Sequence, residues 1–304
     1  MSTPILFDCD PGHDDAIALL LALGSNELEL RGVTTVAGNQ TLEKTTANAI
    51  RVLELAGRGE IPVAAGADRP LVRDPRVAAD VHGETGLDGP DLPPPQADPL
   101  PEHAVDFLAE RIEGTTLVAT GPLTNVALLL ARHPQARPDR IVLMGGAIAE
   151  GNVTPAAEFN IWADPEAAHR VFTSGLEVTM VGLDVTHKAL VSAAEAERLR
   201  AAGRIGRVVA ELLDFYGGFH RATYGWDGSP IHDAVAVAHV IDATLLELEH
   251  VNVRIDCCPD ELCRGRTVAD VWRRTGLEPN AHVAVGIDSE RFLDLLHERL
   301  ARLG

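Results

Sequence analysis

The sequence is short of positive charge and of long apolar stretches. It carries 26 Lys and Arg residues against 45 Asp and Glu residues in a chain of 304, a formal net charge of −19. Nucleic acid or an anionic membrane would be repelled by such a chain, so neither is expected as a partner. The longest helical apolar run covers residues 16–23, and roughly 20 residues are needed to span a bilayer. With no basic or cleavable leader at its start, the chain is expected to be cytoplasmic.

Cysteine and aromatic residues are also scarce. The chain has four cysteines, and the adjacent Cys257 and Cys258 fit neither a disulfide framework nor a C-x-x-C zinc pair. We expect these two thiols, and those of Cys9 and Cys263, to be reduced and structural. Aromatic residues make up 4% of a chain whose hydrophobic content is 46%. The core must therefore be built from Ala, Leu, Val and Ile, as is ordinary for a soluble enzyme.

Apolar, strand-like runs alternate with segments of helical period along most of the chain. We predict strands at residues 5–10, 28–37, 62–66, 115–121, 140–146, 177–185, 251–256 and 282–288. We predict helices at residues 14–24, 42–56, 102–113 and 123–132, after an N-cap at Asp164, up to about residue 219, from His232 and from Ser289. This order indicates one α/β domain over residues 1–304, with a mainly parallel central sheet flanked by helices. We expect the active site at the carboxyl ends of the strands.

The stretch "DCDPGHDDA" places four aspartates around the end of the first strand and the start of the first helix. Asp10 ends the strand, and Asp14 and Asp15 open the helix, whose dipole favours an anion by only ~0.3 to 1 kcal/mol. That energy is too small to gather three carboxylates, so a hard divalent cation with oxygen ligands is the simplest explanation. A plain helix cap is one alternative. A Mg²⁺ phosphatase of the haloacid-dehalogenase type, with its D-x-D-x-T pattern, is another, weakened because Gly12 stands in place of the threonine.

Other predicted strand and helix ends bring polar groups to the same sheet edge. Thr120 and Met144 end strands and offer backbone carbonyls, which Ca²⁺ accepts as ligands. His232 and Asp233 open a helix, where the histidine suits proton transfer near neutral pH and the aspartate suits a metal. Side chains suited to gripping several hydroxyl groups are those of Asn39, Asn152, Glu158 and Asn160. His82, in the long loop at residues 67–101, is a candidate contact to a ring of the bound ligand.

Taken together, these stretches closely resemble the inosine-uridine preferring nucleoside hydrolases. The resemblance runs in order along the whole chain through "DCDPGHDDA", "TTVAGNQTLEKTTANA", "HGETG", "ATGPLTN", "VLMGG", "GNVTPAAEFNIWADPEAA", "VTMVGLDVTHKAL" and "PIHDAVAVA". It implies an N-ribohydrolase that splits a ribonucleoside into free base and ribose with a tightly bound Ca²⁺. It also implies a homotetramer or homodimer, because both are common in the family.

The resemblance also assigns roles to residues of this chain. It implies that Ca²⁺ is bound by Asp10, Asp15, the backbone carbonyl of Thr120 and Asp233. Asp10 would also be the general base, and His232 is the candidate acid for the departing base. The implied substrate contacts are Asp14, Asn39, His82, Met144, Asn152, Glu158, Phe159, Asn160, His220, Tyr224 and Asp233. A metal lowers the pKa of its water so that a carboxylate can take the proton, and acidic ribose contacts suit an oxocarbenium-like transition state.

Two alternatives to the hydrolase stay open from the sequence. A non-catalytic nucleoside- or ribose-binding protein would retain the metal, although the intact set of Asp10, Asp15 and Asp233 argues against it. A Mg²⁺ phosphatase would need basic phosphate ligands, whereas the candidate loops are acidic and rich in amides. Purine against pyrimidine preference, the identity of the leaving-group acid and the alignment of residues 220–224 are left open. Asp8 receives no catalytic role, and His13 is expected to be structural.

Overall fold

The computed structural model describes residues 2–304, which form an α/β fold around an eight-stranded sheet. The strands are β1 (Thr3–Cys9), β2 (Leu28–Thr35), β3 (Val63–Ala65), β4 (Thr116–Ala119), β5 (Arg140–Met144), β6 (Val178–Val181), β7 (Leu190–Val191), β8 (Ser229–Pro230), β9 (Leu246–Val251), β10 (Val253–Ile255), β11 (Thr267–Ala269) and β12 (Ala281–Ile287). The α-helices are α1 (His13–Leu23), α2 (Leu42–Leu55), α3 (Ala79–His82), α4 (Ala104–Arg111), α5 (Thr124–Arg132), α6 (Phe159–Ala163), α7 (Pro165–Phe172), α8 (Leu183–Thr186), α9 (Ala193–Arg200), α10 (Arg204–Tyr224), α11 (His232–Ile241) and α12 (Ser289–Ala301).

The main sheet has the strand order β3-β2-β1-β4-β5-β6-β12-β9. Its neighbouring strands are parallel except for β12 and β9, which are antiparallel. The predicted α/β fold with a mainly parallel sheet is therefore confirmed. The chain runs outward from β1 through β2 to β3 and then returns to β4 on the other side, so the order reverses between β1 and β4. The crevice outside the carboxyl ends of two such strands is the usual ligand site of an open α/β sheet.

Helices cover both faces of this sheet. Phe7 of β1 belongs to a core shared with α1, α2, α10, α11 and α12, whereas Leu6 belongs to a second core shared with α4, α5 and α7. Helix α1 is buried from His13 to Ala22, which explains why its segment "AIALLLAL" is apolar all round rather than amphipathic. Within residues 2–304 no helix combines the length and the apolarity needed to cross a membrane.

Several element ends follow the local signals in the sequence. Asp164 is the N-cap of α7, as predicted: its side chain accepts a hydrogen bond from the Ala167 N–H at 3.0 Å, and Pro165 is the first helical residue. Gly57 follows the end of α2 with a φ of +70°, the left-handed conformation that ends many helices. The helical region predicted up to residue 219 is divided by Gly203, whose φ is +123°, into α9 and α10.

One edge of the sheet differs from the prediction. The single strand expected at residues 251–256 is two elements, because Val251 ends β9 whereas Val253 opens β10. Strand β10 pairs with β11 in a separate two-stranded sheet. The sequence did not predict β9, whose segment "LELEHV" places charged residues at alternate positions and has only its two ends buried. Such a pattern is typical of an exposed edge strand, which carries a weak apolar signal.

Gly32 of β2 is a packing constraint that can be tested. A Cβ on Gly32 would overlap the fully buried ring of Phe107 in α4. We expect Gly32→Ala to lower the free energy of unfolding by about 1–3 kcal/mol, the usual cost of overpacking a core. Because the ring is the obstacle, adding Phe107→Leu should cost less than the sum of the two single changes. Urea unfolding measures all three variants.

The matched control is Gly218→Ala in α10, where a Cβ would meet open space. Alanine is the better helix former, so this variant should be as stable as the parent chain or more stable. Equal destabilisation at positions 32 and 218 would contradict the packing explanation.

Candidate active site

Four buried carboxylates meet beyond the carboxyl ends of β1 and β4. Asp10 follows β1, Asp14 and Asp15 lie in the first turn of α1, and Asp233 lies in the first turn of α11. Carboxylate oxygens of Asp14, Asp15 and Asp233 lie within 4.8 Å of one another. All four side chains are at most 5% exposed. Two helix N-termini, which favour negative charge, therefore begin at the same cluster.

Asp10 is held at one oxygen and free at the other. Its Oδ2 accepts a hydrogen bond from the backbone N–H of Asn39 at 2.6 Å. Its buried Oδ1 has no hydrogen-bond partner among residues 2–304. A Cβ on Gly121 would lie 2.7 Å from this Oδ1, and one on Gly38 would overlap Oδ2, so two glycines let the neighbouring loops close around the carboxylate. A buried carboxylate oxygen without a donor is suited to binding a cation.

Asp15 connects the cluster to the neighbouring strand ends. Its Oδ1 accepts a hydrogen bond from Thr120 Oγ1 at 2.7 Å, and its Oδ2 accepts from the Gly12 N–H at 3.1 Å. The side-chain amide of Asn39 donates to the same Oδ2 at 3.0 Å. Because the backbone of Asn39 holds Asp10 and its side chain holds Asp15, this one residue fixes the two carboxylates relative to each other.

The negative charge of the cluster lacks a basic partner. Burial, reinforced by the other aspartates, raises the pKa of Asp10 and of Asp233 well above the usual range and that of Asp14 to about 8. Burial also raises the pKa of Asp15. Within the described part of the chain, the donors to these carboxylates are hydroxyl, amide and backbone N–H groups rather than Lys or Arg. A divalent cation fits this set of oxygen ligands and would lower all four pKa values.

Glu158 and Asn160 form the adjoining wall. Glu158 caps α6, where its Oε1 accepts from the Asn160 N–H at 2.9 Å and its Oε2 accepts from the Gly146 N–H at 2.8 Å. Burial raises the pKa of Glu158. The Asn160 side-chain amide donates to the carbonyl of Thr120 at 2.7 Å and to that of Met144 at 3.1 Å. A carbonyl oxygen has two lone pairs, so Thr120 can accept this bond and still face a metal.

A cavity of about 360 Å³ borders these groups. The predicted site residues that line it are Asp14, Asn39, His82, Thr120, Met144, Asn152, Glu158, Phe159, Asn160, His220, Tyr224, His232 and Asp233. Asp10 and Asp15 do not line the cavity, but hydrogen bonds through Asn39 and Thr120 join them to its wall. The structure therefore brings every residue predicted for the site into one region, from loops that are far apart in the sequence.

Imidazole and aromatic rings form another part of the cavity wall. His220 stacks on Tyr224 with 6.0 Å between ring centroids, and Nδ1 of His232 lies 2.7 Å from Thr186 Oγ1. Burial lowers the pKa of His82 and of His232 well below the usual range and that of His220 to about 4. These rings are neutral near pH 7, so each offers one donor and one acceptor nitrogen.

Some residues of this wall were not predicted from the sequence. They include Arg76, Trp162, His187, Tyr216 and Phe219. Tyr216 lies four residues before His220 in α10, so these two side chains share one face of that helix, whereas Phe219 is the neighbour of His220 in the sequence. That spacing was the available signal. The hydroxyl of Tyr216 also lies 3.5 Å from Asp14 Oδ2, which places the residue where the carboxylate and ring parts of the cavity meet.

Comparisons with known proteins agree with this geometry. Residues 5–294 match the family model described as inosine-uridine preferring nucleoside hydrolase. The chain is 51% identical over 309 residues to the pyrimidine-specific ribonucleoside hydrolase RihA of Citrobacter koseri, with 99% of each protein covered. It is 52% identical over 309 residues to the protein of the same name from Shewanella sp. (strain MR-7), which covers 99% of this chain and 97% of that relative.

A solved structure has the same fold. The purine-preferring ribonucleoside hydrolase from Gardnerella vaginalis matches with a TM-score of 0.93 and 35% sequence identity, over 99% of both chains. The family predicted from the sequence motifs is therefore confirmed, and so is the prediction that the protein is an enzyme of the ribonucleoside hydrolase type. The chain belongs to the inosine-uridine preferring nucleoside hydrolase family.

Proposed function

We propose that the chain hydrolyses the N-glycosidic bond of pyrimidine ribonucleosides to free base and ribose, with Ca²⁺ as its metal. The observation that carries the proposal is the buried carboxylate cluster, with the free Oδ1 of Asp10, beside a cavity whose wall is completed by neutral histidine and aromatic rings. The acidic part suits a sugar that becomes cationic during cleavage. The neutral rings suit the planar base that departs.

The cation would be held by Asp10, Asp15, Asp233 and the carbonyl oxygen of Thr120. Asp14 lies close enough to Asp15 and Asp233 to share this role or to bind a ribose hydroxyl. Carboxylate and carbonyl oxygens are the ligands that hard cations such as Ca²⁺ prefer. When bound, the cation supplies Lewis acidity and lowers the pKa of a neighbouring water.

Asp10 is the proposed general base. Its Oδ2 is fixed by Asn39, so Oδ1 is the oxygen that remains available. Asp10 accepts a proton from the attacking water as the new bond to C1′ forms. The bond between C1′ and the base nitrogen breaks, and its electron pair leaves with the base. No side chain needs to act as a nucleophile in this reaction.

The ribose would lie between the carboxylates and the Glu158 wall. The proposed contacts to its hydroxyl groups are Asp14, Asn39, Asn152, Glu158, Asn160 and Asp233, with Met144 and Phe159 packing against the sugar. Asn160 is already oriented by its two carbonyl contacts. Contacts from carboxylates gain strength as positive charge develops on the ribose ring, so they favour the transition state over the ground state.

The base would lie against the rings. When Thr186 Oγ1 donates to Nδ1 of His232, neutral His232 carries its proton on Nε2, and we propose that this N–H donates to the departing base as the leaving-group acid. His82, His220 and Tyr224 are the further proposed contacts to the base. We assign pyrimidines because relatives 51% and 52% identical to the chain are named pyrimidine-specific, whereas the purine-preferring structure is 35% identical.

The proposal replaces the phosphatase alternative. A phosphatase needs basic phosphate ligands, and Arg76 is the one Lys or Arg that lines the cavity within the described residues. Arg76 is exposed and does not pair with the carboxylate cluster. The non-catalytic binding protein predicts that the base at Asp10 is dispensable, which is tested below.

We also propose that the chain forms a homotetramer or homodimer. Large apolar side chains are exposed around β11, namely Leu262, Val268, Trp272 and Leu277. A surface of this kind is typical of a contact between protein chains. Sedimentation velocity gives the number of subunits.

Metal removal should abolish activity and lower stability. Without a cation, the buried carboxylates repel one another, so Ca²⁺ at about 100 times its Kd should stabilise the fold by ~2.7 kcal/mol. We expect a chelator to remove turnover of uridine and to lower the Tm, and Ca²⁺ to restore both. Asp15→Asn should lose most of the Ca²⁺-dependent rise in Tm. Asp68→Asn, an exposed carboxylate paired with Arg69, should keep it. A fully active metal-free protein would contradict the proposal.

Asp10→Asn should separate binding from turnover. The amide can still accept the Asn39 hydrogen bond but cannot take a proton, so we expect kcat for uridine to fall by about 10²- to 10⁴-fold. Calorimetry should show that the variant still binds the nucleoside. The control is Asp8→Asn in β1, where the carboxylate is equally buried but accepts hydrogen bonds from Thr34 and Asn125 and lies outside the carboxylate cluster. Absence of turnover in the parent chain with Ca²⁺ and nucleoside bound would favour a binding protein, whereas unchanged turnover in Asp10→Asn would overturn the base role of Asp10.

A substrate panel tests both the base and the sugar. Uridine and cytidine should be cleaved with higher kcat/KM than inosine and adenosine. For 2′-deoxyuridine we expect kcat/KM to be lower by about 10- to 100-fold, because a lost hydrogen bond to charged groups costs ~1.5–3 kcal/mol. Release of reducing sugar measures all five reactions. A preference for inosine would overturn the pyrimidine assignment and leave the hydrolase assignment intact.

A further inference from the structure

His13 has no role in the reaction described above, although it is fully buried beside the site. Its Nε2 lies 2.8 Å from the carbonyl oxygen of Asp88. Its Nδ1 lies 3.2 Å from Nδ1 of His82, and its backbone N–H lies 3.3 Å from the same atom. His13 thus meets one nitrogen of His82 with both its side chain and its main chain.

This contact determines which nitrogen of His82 faces the cavity. Within residues 2–304 both polar contacts of the His82 ring are made by Nδ1. Because Nε2 of His13 donates to Asp88, neutral His13 can only accept at Nδ1, so Nδ1 of His82 either donates to that ring or accepts from the His13 backbone N–H. In both cases Nε2 is left for the cavity that the ring lines. A Cβ on Gly12 would overlap the His82 ring, so the glycine lets the ring lie directly on the start of α1. His82 ends the four-residue helix α3. Such a short element does not fix a side chain alone, so the position of His82 depends on α1.

His13 also holds the chain that follows His82. The Asp88 side chain accepts hydrogen bonds from the N–H groups of Glu84 and Thr85, each at 3.0 Å, and these bonds close a turn. The carbonyl of Asp88 then accepts from Nε2 of His13. The imidazole of His13 lies parallel to the ring of Phe215, with 5.2 Å between centroids. The orientation of His13 is therefore fixed from several sides.

We propose that His13 is a positioning residue for base recognition, holding Nδ1 of His82 so that Nε2 faces the base. The inference rests on the proposed function, which places His82 against the base. Under this proposal the adjacent residues His13, Asp14 and Asp15 of the motif "DCDPGHDDA" have different functions. Asp14 and Asp15 serve the metal and the ribose, whereas His13 acts on the base through His82.

The test compares uridine with 4-nitrophenyl β-D-ribofuranoside. The nitrophenyl substrate carries no pyrimidine base for His82 to contact, and its nitrophenolate leaves without protonation by His232, so uridine alone should depend on the position of His82. His13→Gln keeps a donor at the position of Nε2, facing Asp88, but leaves nothing at the position of Nδ1. His13→Asn keeps a polar atom at the position of Nδ1, facing His82.

We expect His13→Gln to lower kcat/KM for uridine by about 10- to 100-fold, as when a contact to the substrate is misplaced by ~1 Å, and to change the nitrophenyl substrate by less than about threefold. His13→Asn should retain most of the activity on both substrates. His82→Gln should reproduce the pattern of His13→Gln. Because the two residues act as one unit, the double variant should be no worse than either single variant.

The matched control is Phe215→Leu. It weakens the packing on the His13 ring without changing either nitrogen contact, so activity on uridine should be retained. Ca²⁺ affinity, measured by calorimetry, should be the same in all variants. If His13→Gln does not fold, His13→Ala removes both side-chain nitrogen contacts without adding bulk, and it should lose activity on uridine selectively.

Three results would overturn the inference: equal losses on both substrates, weakened Ca²⁺ binding in His13→Gln, or additive losses in the double variant. Each would mean that His13 only supports the start of α1. Full uridine activity in His13→Gln would overturn it as well. If the unmodified protein cleaves neither substrate with Ca²⁺ bound, the proposed function fails, and this inference fails with it.

Discussion

The rest of the structure depends on the repulsion among Asp10, Asp14, Asp15 and Asp233. A buried carboxylate is costly unless its charge is balanced, and here hydroxyl, amide and backbone N–H groups supply only part of that balance. The reversal of strand order between β1 and β4 opens a crevice for these residues. Helices α1 and α11 begin there, and their N-termini add partial positive charge. The fold thus assembles a buried acidic site whose charge a bound cation would balance.

The layer beneath the carboxylates makes this arrangement rigid. Asp8, two residues before Asp10, accepts hydrogen bonds from Thr34 at 2.6 Å and from Asn125 at 2.8 Å. Asn125 also donates to the carbonyl of Thr35 at 3.0 Å and accepts from the Ala67 N–H at 2.9 Å. Strands β1 and β2, helix α5 and the loop after β3 are therefore tied together below the site. Burial raises the pKa of Asp8 to about 6, and its two side-chain hydrogen bonds give it a structural role in this layer.

The sequence predicted the carboxylate part of the site better than the rest. Asp10 and Thr120 follow parallel strands, and Met144 is the last residue of another. The carboxyl ends of parallel strands lie at one sheet edge, so the convergence of these residues could be predicted without coordinates. The ring part depends on how α3 and α10 pack over that edge. Tyr216 and Asp14 meet across 202 residues of sequence, and no local pattern specifies that contact. Strand β9 was not predicted because an exposed edge strand buries few side chains and so leaves no clear hydrophobic pattern in the sequence.

The two parts of the cavity must also stay electrostatically separate. A protonated histidine beside Asp14 or Asp233 would neutralise the cluster and compete with a cation for it. Burial lowers the pKa of the cavity histidines and prevents this. Tyr216 stands at the boundary, with its hydroxyl toward Asp14 and its ring 4.4 Å from that of His220. Burial and the nearby aspartates raise the pKa of Tyr216 well above its usual range, so it stays neutral too. Neutral polar rings beside the carboxylates leave the negative charge available to the proposed metal and to the ribose, which becomes cationic in the proposed reaction.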